Sequence, residues 1–189
     1  GIFRDGKGLT EAVNEGSISM ERIDEAVLRI LTVKFEVGIF EHVYADKELE
    51  SLVGSDESRA VARQAAAESQ VLLKNNGVLP LKAGQKILVT GNFANTVGGQ
   101  SGGWTTTWQG KMGNSNKGHT ILDGIKLEAG ADNVVYQKSR KKFLEMDKSG
   151  FDLIIFIPGE YPYAEGNGDK KRPALGKGDQ VYINAMAET

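Results

Sequence analysis

The sequence predicts an α/β fold: a three-layer sandwich around a mainly parallel sheet, incomplete within this chain, with a helical segment ahead of it. Three observations carry this prediction. From residue 86 onward short apolar runs alternate with helical patterns. The connections between successive runs exceed a dozen residues, a length that parallel crossovers need and hairpins do not. The runs are continuously apolar instead of alternating, so both faces of the sheet must be covered.

Each element follows from local chemistry. Ser19 can cap a helix that runs to about Val37 and stops at Gly38. Met20, Ile23, Val27, Ile30 and Leu31 fall at helical spacing on it, so one face is apolar and should pack in a core. Residues 38–54 show no period and read as a connector. Ser55 or Asp56 can cap a second helix from Glu57 to about Leu73, broken by Asn75-Asn76-Gly77. Lys86–Thr90 reads as a buried strand ending at Gly91. Thr120–Ala129 reads as a helix, Asn133–Tyr136 as a strand, Ser139–Lys148 as a helix, and Phe151–Ile157 as a third strand. A last helix begins near Asp179.

Composition narrows the function. Of the 189 residues, 23 are basic and 25 acidic, a balance that lacks the basic footprint of a nucleic-acid binder. No apolar run approaches the roughly 20 residues needed to cross a bilayer as a helix. There is no cysteine, which excludes disulfides, thiolate metal sites and a cysteine nucleophile. His42 and His119 have no metal-ligand spacing, and the basic run Lys138–Lys142 reads as a solvated helix face. The 24 glycines gather near 91–118 and 159–178, which gives two loops unusual backbone freedom. Both loops leave the carboxyl ends of strands, the edge where open parallel sheets bind ligands.

The first loop carries both tryptophans of the chain, in Gly102-Gly103-Trp104-Thr105-Thr106-Thr107-Trp108-Gln109-Gly110. Flat aromatic faces among Thr and Gln suit the C–H face of a sugar ring, with hydroxyls and amides left for hydrogen bonds. The alternative is that the rings pin the loop to the domain. A phosphate cradle is disfavoured, because neither the Walker pattern nor GxGxxG follows Thr90. The second loop, Gly159-Glu160-Tyr161-Pro162-Tyr163-Ala164-Glu165-Gly166-Asn167-Gly168-Asp169, sets three carboxylates among two tyrosines. A carboxyl beside aromatic surface loses solvation and holds its proton longer, as a general acid requires. The plainer reading is a solvated acidic loop, and a cation site is weaker still because the spacing matches no ligand loop.

These residues resemble glycoside hydrolase family 3. Ile30–Glu41 is similar to the segment closing that family's barrel domain. Ala60–Leu81, with Ser69-Gln70-Val71-Leu72-Leu73-Lys74-Asn75, is similar to the helix opening its α/β sandwich. Gly102–Gly110 resembles the sugar-contacting loop of the β-glucosidase and exo-glucanase branch, and Gly159–Glu165 its acid/base loop. The resemblance implies residues 1–41 as the end of a TIM-barrel-like domain, 42–56 as a linker and 57–189 as a truncated sandwich domain. It implies a retaining, exo-acting hydrolase of β-linked glucosides or oligosaccharides, with no cofactor and no metal.

The acid/base glutamate then falls on Glu165, with Glu160 as the alternative because other branches carry the acid in the Gly-Glu pair. Trp108 matches the aromatic clamp beyond the cleaved bond, Trp104 supports it, and Tyr163 joins them as a substrate-binding residue. The family nucleophile is an aspartate on the barrel, expected ahead of Gly1. The chain therefore reads as a fragment that needs that domain in cis and hydrolyses nothing by itself. Nucleic-acid and membrane partners are not expected, and family members are often secreted or periplasmic. The alternatives are a non-catalytic carbohydrate-binding domain of the same ancestry, a nucleotide-binding α/β domain, and the N-acetylglucosaminidase branch, whose acid lies on the barrel.

Overall fold

The computed structural model describes residues 7–172 and 174–187. The chain divides into two compact units, Gly1–Leu73 and Lys74–Thr189.

The first unit holds α1 (Lys7–Asn14), α2 (Met20–Glu36), a 3-10 turn at Lys47–Leu52 and α3 (Asp56–Glu68). Ser19 caps α2, its hydroxyl accepting from the Arg22 amide at 3.3 Å. The helix ends at Glu36, two residues before Gly38, whose φ of 71° takes the chain out of the helix. Its apolar stripe, expected to pack in a core, finds none here: Met20, Val27, Ile30 and Leu31 are exposed, Ile23 is half-buried, and no residue of α2 is buried. Ser55 caps α3 through the Ser58 amide. That helix stops at Glu68, short of the Leu73 that its apolar pattern suggests. The Ser69 hydroxyl and the Gln70 side-chain amide both donate to the Ala66 carbonyl at 2.9 Å, closing the last turn by side-chain bonds.

The second unit is the sandwich. β1 (Ile87–Thr90) lies between β2 (Val134–Gln137) and β3 (Leu153–Phe156), and both pairings are parallel. Ile87 stands opposite Val134 on one side and Leu153 on the other, and the register runs on without a slip to Thr90. All four residues of β1 are buried, as expected of a central strand with both faces covered. Ile87 and Val89 pack with Ala94, Leu122 and Val134 under α5 (Ile121–Ala129). Leu88 packs on the opposite face with Phe143 and Tyr182, which come from α6 (Arg140–Glu145) and α7 (Lys177–Ala187). Alternate residues of one strand thus build two cores, the period-2 rule applied to both faces.

The helices start where the caps say they should. Thr120 and Asp123 form a reciprocal capping box at the head of α5. Ser139 caps α6. α6 ends at Glu145, earlier than its sequence pattern suggests. Asp147 captures the Ser149 amide in a local turn at 2.9 Å, and Lys148 folds back with its Nζ 5.0 Å from the centre of the Phe143 ring.

Candidate functional site

The two glycine-rich loops leave the carboxyl ends of β1 and β3 and are joined along their length. At the base, the Ile157 amide donates to the Thr90 carbonyl at 2.9 Å and the Phe93 amide to the Ile157 carbonyl at 3.3 Å. Gly91 sits at φ 107°, and a Cβ there would lie 2.7 Å from the Ile157 carbonyl carbon, so no side chain fits at this crossing. Further out, the Phe93 ring lies edge-on to Tyr161 with centroids 6.3 Å apart. At the tip, the Ala164 amide donates to Oε1 of Gln109 at 3.0 Å, a bond between residues 55 apart in the chain.

The first loop is built by local capture. Thr96 caps a single helical turn, α4 (Val97–Ser101), in a stretch that the sequence suggests is loop because Gly98-Gly99 is a poor helix former. The same hydroxyl accepts from the Gly113 amide at 2.9 Å, and Asn114 Oδ1 accepts from the Val97 amide at 2.8 Å. The far arm of the loop is thereby folded back on α4. Between these anchors the Trp104 amide donates to the Trp108 carbonyl at 2.9 Å. The two indoles lie 6.5 Å apart at 55° and are 70% and 55% exposed. They present aromatic surface instead of pinning the loop to the core.

The second loop sorts its carboxylates. Glu160 accepts from Lys170 Nζ at 2.6 Å and from the Tyr163 hydroxyl at 3.0 Å. The Lys170 bond first, then the Tyr163 bond, hold its carboxyl below the usual carboxylate range. The aromatic neighbour therefore favours the charged form, the reverse of the desolvation expected from the sequence, because its hydroxyl donates to the carboxylate. The Tyr163 phenol and the Lys170 ammonium are both raised by the same contacts, the hydrogen bond to Glu160 being the larger cause in each. Glu165 differs. It is exposed, it opens a 3-10 turn over Glu165–Gly168, and its carboxylate has no hydrogen-bond partner among the described residues.

Backbone conformation marks the same places. The non-glycine residues with left-handed backbone among those described are Trp104 (φ 59°), Thr106 (φ 65°) and Glu165 (φ 55°). Each such residue costs of order 1–3 kcal/mol and persists only where its surroundings over-determine it. All three lie in the two loops. Sequence gives no sign of this, since none of the three is Gly, Asn or Asp.

A cleft of about 700 Å³ opens beside the second loop, walled by Phe93, Tyr161 and Leu175 and edged by Glu160, Lys170 and Asp179. Neither tryptophan nor Glu165 lines it. The tryptophans and Glu165 stand on open surface. Neither Lys170 nor Gln109 stands out in the sequence. The first lies in a run of charges, and the second is one polar residue among many. The available hint is the glycine flanking Gln109, which lets Pro162 of the second loop approach Gly110.

The comparisons with known proteins agree with this architecture. A thermostable β-glucosidase B from Acetivibrio thermocellus is 36% identical over 96% of this chain and 24% of its own length. A lysosomal β-glucosidase from Dictyostelium discoideum is 29% identical over 96% of the chain and 24% of its own. Among solved structures, an exo-1,3/1,4-β-glucanase from a Pseudoalteromonas species superposes with a TM-score of 0.76 at 30% identity, over 94% of this chain and 23% of that one. A β-glucosidase from Listeria innocua, solved in complex with glucose, gives 0.76 at 26% identity over 95% and 25%. The chain therefore spans about a quarter of the length of these relatives. Residues 70–189 match the model of the glycosyl hydrolase family 3 C-terminal domain, and the chain belongs to that family.

Proposed function

We propose that this chain supplies the proton-donor half of a retaining, exo-acting hydrolase of β-linked glucosides, with Glu165 as the general acid/base. In a retaining mechanism two carboxyl groups about 5–5.5 Å apart flank the scissile bond. One attacks the anomeric carbon while the other protonates the departing oxygen. The second then takes a proton from the water that releases the glycosyl group. Glu165 fills the second role, and an aspartate on a barrel domain in cis fills the first. Residues 1–41 are the end of that barrel, 42–56 a linker and 57–189 the sandwich domain.

The observation that carries this reading is the contrast between the carboxylates of the second loop. Glu160 is committed to Lys170 and Tyr163 and held in its charged form. Glu165 has no such commitment among the described residues and sits on the loop that Gln109 fastens to the tryptophan loop. Trp108 offers the aglycone an aromatic face, with Trp104 supporting it and Tyr163 as a further contact. The barrel partner is supported by the apolar stripe of α2, of which Met20, Val27, Ile30 and Leu31 are exposed. The substrate class is supported by the Listeria relative's structures with glucose and laminaribiose.

The test is Glu165→Gln in the protein carrying its barrel domain. Substrates with poor leaving groups should lose at least about 10²-fold in rate, whereas activated aryl glucosides lose far less, because an activated oxygen departs without a proton. Equal losses on both substrate types, or none, would remove Glu165 from this role. Expressed without the barrel, the chain should turn over no aryl β-glucoside, and turnover abolished by Glu165→Gln would contradict the division of labour.

A further inference from the structure

We propose that Gln109 is a positioning residue that aims the Glu165 carboxylate, an inference that rests on the reading of Glu165 as proton donor. Its Oε1 accepts the Ala164 amide at 3.0 Å, and Ala164 is buried, so that amide has no water to turn to. The bond fixes the peptide plane entering Ala164, one residue before the left-handed Glu165. On the exit side the Asp169 amide donates to the Gly166 carbonyl at 3.2 Å, and Tyr163 packs so closely on Gly168 that no Cβ would fit there. The strained residue is thus held from before and after, which is the over-determination such a conformation needs.

The orientation of the Gln109 amide follows from the same contact. An N–H of Ala164 must meet oxygen, so Nε2 points away. It is buried and has no hydrogen-bond partner among the described residues. Gln109 is half-buried, and the part of its amide that finds a partner is the acceptor. Gln109 also follows Trp108 directly in the chain, and Trp108 is tied to Trp104 through its carbonyl. The group that faces the aglycone and the group that protonates the bond therefore share one fastening.

The experiment uses the protein carrying its barrel domain and three variants. Gln109→Met removes the acceptor at nearly constant size. Gln109→Glu keeps an acceptor oxygen and removes the donor. Gln109→Asn keeps the amide and is one methylene too short to reach Ala164. The readout is the ratio of kcat for a poor to a good leaving group, with KM for a β-linked disaccharide measured alongside. Gln109→Met and Gln109→Asn should each lower the ratio at least tenfold with KM changed less than threefold, and Gln109→Glu should restore the ratio to within threefold of the parent. If Gln109→Met fails to fold, the Asn variant decides by the same ratio. An unchanged ratio in Met or Asn, equal losses on both substrate types, or a Glu variant as impaired as Met would each overturn the inference. If Glu165→Gln itself leaves the ratio unchanged, the reading of Glu165 has failed. If Glu165→Gln lowers the ratio and Gln109→Met does not, only the Gln109 assignment has failed.

Discussion

Gly103→Ala gives a steric test of how closely the two loops must fit. Gly103 lies outside the left-handed region, so alanine suits its backbone, and the obstacle is space alone. A Cβ there would lie 2.7 Å from the Tyr163 carbonyl carbon, nearer still to its oxygen, and 3.2 Å from the Ala164 Cβ. Ordinary contact begins at 3.4 Å, so the loops must part by at least about 0.7 Å (3.4 − 2.7). The two nearest obstructing atoms are backbone and cannot swing aside. The shift falls on the residues that lead into Glu165. A 1 Å misplacement of a catalytic group can cost about 10²-fold in rate, so a loss of roughly 10- to 100-fold is expected on a disaccharide with a poor leaving group. Overpacking adds a stability cost of about 1–3 kcal/mol. Gly166→Ala is the control: it adjoins Glu165, is not left-handed, and its Cβ would meet nothing within 4 Å. Steady-state kinetics on both variants, with thermal unfolding alongside, decide the matter. If Gly103→Ala matched Gly166→Ala within twofold, the idea that loop contact positions the acid would be refuted.

Four further outcomes follow. Trp108→Ala should raise KM for β-linked disaccharides severalfold with little change in kcat, because it removes binding common to ground and transition states; an unchanged KM would leave Trp108 as packing. Phe143→Ala should lower stability by about 3–5 kcal/mol in denaturant unfolding, since Phe143 is fully buried and touches Tyr182 with ring centroids 5.1 Å apart; a loss under about 1 kcal/mol would contradict the two-faced core. Thr120→Ala should cost about 1 kcal/mol through the lost cap of α5. The Asp123 carboxyl is held low chiefly by the Thr120 amide, so its support of the cap is complete above the unfolded value of about 3.9 and fades as pH falls through the lowered folded value. Stability measured from pH 5 down to pH 2 should therefore converge for parent and Asp123→Ala, and a gap that widened toward acid would contradict the assignment.

The sheet was legible because its information is local. Ile87-Leu88-Val89 is apolar at every position, as a central strand of a covered sheet requires. Ser19, Ser55 and Thr120 announced their helices because a hydroxyl at the N-cap satisfies an otherwise unpaired amide. Helix ends were less legible. α3 and α6 stop early where Gln70 and Asp147 compete for backbone groups, a contest that apolar periodicity does not register. The site was legible in part: glycine density marked both loops, and strand direction put them on one edge. The bond from Ala164 to Gln109 spans 55 residues and leaves no trace in either loop's composition. Nor could the left-handed backbone of Glu165 be anticipated, since glutamate seldom adopts it without tertiary support.

The most direct test of Glu165 as the proton donor is chemical rescue of Glu165→Ala, in the protein carrying its barrel domain, by azide. Without the carboxyl to activate water, the glycosyl group should remain on the nucleophile, and a small anion that needs no general base should take it off. The account predicts that azide accelerates turnover of an activated aryl β-glucoside at least tenfold and yields the β-glycosyl azide, while Glu160→Ala shows no such gain. A Glu165→Ala variant that hydrolyses normally, or rescue confined to Glu160→Ala, would contradict it.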